Sequence, residues 1–130
     1  MKKITILLIS LFLSSSLMAA GSDSSSSSSS GDSIKNSLYA DAVKLVNRAG
    51  KLEKKDKTEA AKKLYSQAFK KLETAYKSDK KNPDILNYMG FTTRKVGNFN
   101  KAEKYYLEGL KINPSHNGIN EYLGELYVQT

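Results

Sequence analysis

The stretch NYMG, Asn87 to Gly90, returns as EYLG, Glu121 to Gly124. Each copy sets a tyrosine, an apolar residue and a glycine in a row, and the two glycines stand 34 residues apart. A glycine inside a helix costs about 1 kcal/mol relative to alanine, so glycines repeated in one register need a packing reason. Sliding the chain along itself by the same interval also pairs Tyr65 with Phe99, Ala68 with Ala102, Leu72 with Tyr106 and Ala75 with Gly109. Two different kinds of segment therefore repeat in a common register.

Both kinds are helical by period. From Ile34 onward apolar residues recur at steps of three and four, without sustained strand alternation. Leu38, Ala42, Leu45, Ala49 and Leu52 mark a first helix over about 37–52. Asp56 three residues before Glu59 has the form of a capping box, opening a second helix over about 57–78 that buries Ala61, Leu64, Ala68, Leu72 and Ala75. Asn82 as N-cap and Pro83 in the first turn start the third, which Gly97 and Asn98 end. A fourth runs over about 99–112 and stops at Asn113-Pro114, and a fifth starts near His116.

A 34-residue helix-turn-helix period is the hallmark of the tetratricopeptide repeat, and this chain resembles that family. Residues 83–116 look like one complete repeat, with Leu86, Met89, Gly90, Gly97, Phe99, Ala102, Tyr106, Leu110 and Pro114 at its large, small, aromatic and proline positions. The resemblance implies an all-α fold: antiparallel helix pairs stacked as a short right-handed α-solenoid of about five helices. It implies that Gly90 and Ala102 lie where two helices of a pair approach most closely, with Met89, Phe99 and Tyr106 filling the space around them. Gly109 and Gly124 should permit similar approach between pairs. Alanine at Gly90 should be tolerated and leucine not.

The chain departs from the pattern at both ends. The positions 34 residues before Met89 and Gly90 hold Lys55 and Asp56, so the helix over 37–52 is expected to replace the missing first helix, displaced by a longer loop. Residues 34–82 thus read as a degenerate, basic helix pair. Residues 117–130 read as the first helix of a further repeat or as a cap, whose apolar face offers a site for self-association.

The amino-terminal segment has another character. Lys2 and Lys3 precede an apolar run from Ile4 to Leu13, followed by small residues to Ala20. This is the layout of a secretory signal peptide over residues 1–20, too short for a spanning helix of roughly 20 apolar residues. An exported, periplasmic or secreted bacterial protein is expected, held at the membrane if the segment is uncleaved. Residues 21–33, GSDSSSSSSSGDS, have no large apolar side chain and are expected to be a disordered linker. The chain has no cysteine, which removes disulfides, thiol chemistry and cysteine-ligated metal.

Catalysis is not expected. The single histidine, His116, has no carboxylate close in sequence and suits a helix cap. Glu121 and Glu125 share a helix face but have no third ligand, no phosphate-cradling glycine loop is present, and neither metal nor cofactor is implied. Charge is uneven: residues 33–82 carry 14 basic and 6 acidic side chains, residues 83–130 five of each. Lys51, Lys54, Lys55, Lys57, Lys62 and Lys63 form a basic block that would suit an anionic lipid or cell-wall polymer; nucleic acid is a poor fit for an exported chain. The family resemblance implies a scaffold holding a protein or peptide in a groove lined by first helices, and nominates Asn87, Phe91, Arg94, Glu121 and Glu125. Phe91 and Tyr88 replace the polar groups of the clamp by which chaperone-binding members hold a terminal carboxylate, so that ligand is not implied.

Overall fold

Turn chemistry divides the chain into helices. In the computed structural model, which describes residues 28–130, these are α1 Ser28–Glu53, α2 Thr58–Ser78, α3 Pro83–Lys95, α4 Phe99–Ile112 and α5 Asn117–Gln129, with no strand among the described residues. Residues 1–20, expected as a signal peptide, and residues 21–27 of the serine-rich stretch lie outside them.

The α3–α4 turn shows how the boundaries are made. Gly97 takes a left-handed φ of 93°, its amide donates to Arg94 O (2.8 Å) and the Asn98 amide to Thr93 O (3.1 Å). This pair of hydrogen bonds closes the carbonyl end of α3. The Asn98 side chain then accepts from the Lys101 amide and caps α4. Asn82 caps α3 as expected, accepting from Asp84 and Ile85 amides at 3.0 and 3.3 Å, with Pro83 in the first turn. His116 caps α5 through Nδ1, 3.1 Å from the Ile119 amide.

Three sequence expectations change. Asp56 does not cap α2: it sits at φ 56°, with its amide on Glu53 O and the Lys57 amide on Leu52 O. That is the closure made at Gly97, so Asp56 ends α1, a left-handed place that Asp tolerates better than most residues. The α2 N-cap is Lys57, without a side-chain bond. Second, residues 28–33, expected as linker, belong to α1. Extending an existing helix is far easier than nucleating one, and Lys35 anchors this end through Asp32 (3.0 Å) and Asp79 at the end of α2 (3.3 Å). Third, no long loop separates α1 from α2. Instead α2 has 21 residues against 14 in α4, so the displaced register is absorbed as two extra helical turns. The buried set of α2 is Ala61, Tyr65, Ala68, Leu72 and Ala75, with Leu64 half-buried.

Contacts fix the directions. Lys35 near the start of α1 meets Asp79 after α2, while Glu53 at its end meets Tyr65 near the start of α2, so the pair is antiparallel. Gly90 against Tyr106 and Leu86 against Gly109 make α3 and α4 antiparallel, as Gly109 with Ile119 and Glu103 with Tyr127 do for α4 and α5. The odd-numbered helices run side by side in one direction: Tyr39 meets Tyr88 and Glu53 meets Lys95, then Asp84 meets His116, Phe91 meets Tyr122 and Arg94 meets Glu125. The even helices align likewise, Phe69 with Tyr105 and Tyr76 with Glu108.

The close approach of α3 and α4 is where the sequence placed it. Ala102 and Tyr106 are fully buried, and a Cβ built on Gly90 would lie 2.4 Å from the Tyr106 ring. Met89 is buried and Phe99 half-buried. Gly109 admits Ile119 Cδ1, which would be 2.3 Å from an added Cβ. Gly124 does not behave this way: nothing lies within 4 Å of its Cβ position, because its side of α5 faces away from α3 and α4.

Tolerance at Gly90 is therefore narrower than the sequence suggested, since the buried ring has nowhere to move. Gly90→Ala should lower stability by about 1–3 kcal/mol in urea unfolding. Gly124→Ala meets no atoms and should raise it by up to about 1 kcal/mol. Equal effects at the two glycines would contradict the packing described.

Candidate partner-binding groove

The parallel odd-numbered helices share a face, and a cleft of about 570 Å³ opens on it. Tyr88 and Phe91 of α3 form its centre, Tyr122 of α5 one wall, and the end of α1 the other, with Tyr65 reaching in from α2. The rings interlock edge to face: Tyr39 on Tyr88 with centroids 5.6 Å apart, Tyr65 on Phe91 at 5.9 Å, and Phe91 on Tyr122 at 4.9 Å in a tilted contact. Such pairs hold an apolar surface rigid while leaving part of it open. Phe91 and Tyr122 stay half-buried.

Polar groups surround the rings. Tyr65 Oη donates to Glu53 Oε2 at 2.9 Å, and Lys95 Nζ meets the same oxygen at 2.8 Å. Lys95 also lies 5.7 Å from the Tyr65 and Phe91 ring centres. Burial, then the hydrogen bond to Glu53, pushes the Tyr65 hydroxyl well above its ordinary range. Burial also raises Tyr122, and pushes Tyr39 up to about 12. These hydroxyls remain protonated at neutral pH, and that of Tyr65 is committed to Glu53. Lys51 and Lys54 line the α1 side and are exposed.

The five nominated groove residues divide. Phe91 is in the cleft. Arg94 is not available to a partner: its side chain is 4% exposed, with Nη2 2.6 Å from Glu125 and Nη1 3.2 Å from Gln129. It stacks beneath Phe91 and Tyr122, 5.6 and 5.7 Å from their centres. It ties α3 to α5 and supports the wall from within. Asn87 is buried too, with its Nδ2 lying 2.8 Å from where a Cβ on Gly118 would be. Glu125 is half-exposed and engaged with Arg94; Glu121 is exposed.

The six lysines of the basic block are spread over the end of α1, the turn after it and the start of α2. Lys51 and Lys54 border the groove, Lys55 and Lys57 ride on the α1–α2 turn, and Lys62 pairs with Glu59 at 3.1 Å beside Lys63 on α2. Sequence reading overlooked Tyr65, Tyr122, Glu53 and Lys95 as groove residues. The 34-residue alignment of Tyr88 with Tyr122 was a signal for one of them; the others depend on how the helices pack.

His116 also has a partner invisible in sequence, Asp84, 2.9 Å from Nε2. Nδ1 is occupied by the Ile119 amide, so neither ring nitrogen is free to relay a proton. No group of three potential metal ligands occurs among the described residues, and no described helix is long and apolar enough to cross a membrane. No protein-family model matches the chain, and no curated protein matches it significantly.

The buried cation gives an asymmetric prediction. Glu125→Leu leaves Arg94 in the interior without its anion and should cost roughly 3 kcal/mol. Arg94→Leu leaves a half-exposed carboxylate that water can solvate and should cost about 1–2 kcal/mol. Chemical denaturation of the two variants measures the order; the reverse order would place Arg94 in solvent.

Proposed function

We propose that the chain is a non-enzymatic scaffold of the tetratricopeptide class, a short right-handed α-solenoid that holds a protein or peptide partner in the bacterial envelope. The observation that carries this reading is the aromatic groove on the face shared by α1, α3 and α5. Its centre is aromatic, and its α1 edge carries the exposed Lys51 and Lys54. The 34-residue register and the parallel course of alternate helices support the repeat class. Export rests on Lys2, Lys3 and the apolar run from Ile4 to Leu13.

A photoactivatable side chain at Asn47, which is exposed and lines the groove, tests this in envelope extract. Protein adducts are expected at Asn47 and not at Lys104, an exposed position on α4. Tyr88→Ser should weaken capture by about 1–2 kcal/mol. Adducts independent of Tyr88 but lost on neutralising Lys55, Lys57, Lys62 and Lys63, or at raised salt, would replace the groove with the anionic-surface reading.

A further inference from the structure

Charge is divided between the two sets of helices. The even-numbered α2 and α4 carry eight lysines and four carboxylates, whereas α1, α3 and α5 together carry six basic and six acidic side chains. Of the eight lysines, Lys62 pairs with Glu59 and Lys71 with Asp41. The other six, Lys63, Lys70, Lys77, Lys101, Lys104 and Lys111, are exposed and make no ion pair among the described residues. The carboxylates do little to offset them. Glu59 is taken by Lys62, Glu103 accepts from Tyr127 and Glu108 from Tyr76, which leaves Glu73 alone unengaged among the described residues of these two helices.

Periodicity sets the lysines in rows. Lys63, Lys70 and Lys77 recur every seven residues, about 10 Å apart along α2, on the side opposite the buried Ala61, Ala68, Leu72 and Ala75. Lys104 and Lys111 repeat the spacing on α4, opposite Ala102, Tyr106 and Gly109. The 34-residue register pairs Lys70 with Lys104 and Lys77 with Lys111, and the contacts of Phe69 with Tyr105 and of Tyr76 with Glu108 lay the two rows side by side. Lys101 stands between them, 4.8 Å from the centre of the Phe69 ring and 5.7 Å from that of Tyr105. Cations ranked over two adjacent helices repel one another and suit an extended anionic surface. Apolar side chains break through the same face: Leu107, between Lys104 and Lys111, is 42% exposed, and Ile112, next to Lys111, is 39% exposed. A soluble polyanion gains nothing from them, whereas a bilayer interface takes up such side chains while lysine stems lie along it and their ammonium groups meet the headgroups.

We propose that the outer face of α2 and α4 docks on the surface of an anionic bilayer, with Lys70, Lys77, Lys104 and Lys111 on the lipid phosphates and Leu107 entering the interface between them. The groove belongs to α1, α3 and α5, so it remains open to solution while the lysine rows are engaged. The surface is distinct from the lysines around the α1–α2 turn, and it does not depend on the function proposed for the groove.

The chain has no cysteine, so a single Thr74→Cys between Lys70 and Lys77, or Asn47→Cys beside the groove, places an environment-sensitive fluorophore at one point of the full chain. Vesicles of mixed phosphatidylglycerol and phosphatidylcholine should shift the emission to the blue at position 74 and not at 47, and vesicles of phosphatidylcholine alone at neither. Replacing Lys70, Lys77, Lys104 and Lys111 together by Gln should raise the lipid required at least about tenfold. The same loss of charge at Lys51, Lys54, Lys55 and Lys57 should change it by less than about threefold. Leu107→Ser should weaken binding to the anionic vesicles and leave binding to soluble polyphosphate unchanged. A blue shift at position 47, or equal losses in the two fourfold variants, overturns the proposal. Vesicle binding indifferent to Leu107→Ser overturns it as well and assigns the lysine rows to an anionic polymer.

Discussion

The ring of Tyr106 lies on the bare backbone of Gly90, and the remaining architecture follows from how closely that contact draws α4 onto α3. With the two helices so near, the Tyr106 hydroxyl is sealed in the interior without a geometrically formed hydrogen bond. Burial drives it toward the protonated state, opposed by the nearby charge of Arg94. Arg94 passes the constraint on through Glu125 and Gln129 of α5. A missing side chain on one helix thus orders three.

Consecutive residues of α3 divide its neighbours among them. Gly90 receives α4, Phe91 faces the groove, Thr92 bonds back into its own helix, Thr93 lines a small cleft between α2 and α4, Arg94 reaches α5, and Lys95 meets Glu53 of α1. At 3.6 residues per turn, six successive positions cover the whole circumference. That is why a central helix in this arrangement can be packed on several sides and still present binding surface. It also explains why apolar spacing alone could not separate its groove residues from its internal ones.

What the sequence disclosed and what it hid follow the same line. The 34-residue interval located the Gly90–Tyr106 approach, and Asn82, Gly97 and Asn98 marked boundaries because caps and left-handed turns depend on residues adjacent in the chain. Asp56 was misread because aspartate serves both as an N-cap and in a left-handed turn, and only the amides of Asp56 and Lys57 decide between them. The lengthened first pair was hidden for a subtler reason. Seven residues are nearly two full turns, so the apolar face of α2 keeps its direction while the motif in α1 slides out of register. Arg94 and Asn87 were nominated through the groove geometry that the family resemblance implies, and that register could not show Arg94 turned inward, since the carboxylate that draws it lies 31 positions away. The Asp84–His116 contact, 32 positions apart, was out of reach for the same reason.

Withdrawing Arg94 into the interior changes the electrostatics of the groove. With Arg94 committed to Glu125 and Lys95 to Glu53, the exposed cations bordering the cleft are Lys51, near the end of α1, and Lys54, just after it. On the α5 side Tyr122 is followed by the half-exposed Glu125 and preceded by the exposed Glu121. The unpaired charge on the lining of the cleft is thus positive and lies along the α1 wall, while Tyr122 gives the other wall an uncharged ring. Under the scaffold reading, that polarity favours a partner with acidic residues toward α1 and a large apolar side chain over Phe91. Such complementarity acts chiefly on orientation and encounter rate, while contact with the rings supplies the affinity. The aromatic floor alone would accept a chain running either way; under that reading the cations at the end of α1 distinguish the two directions.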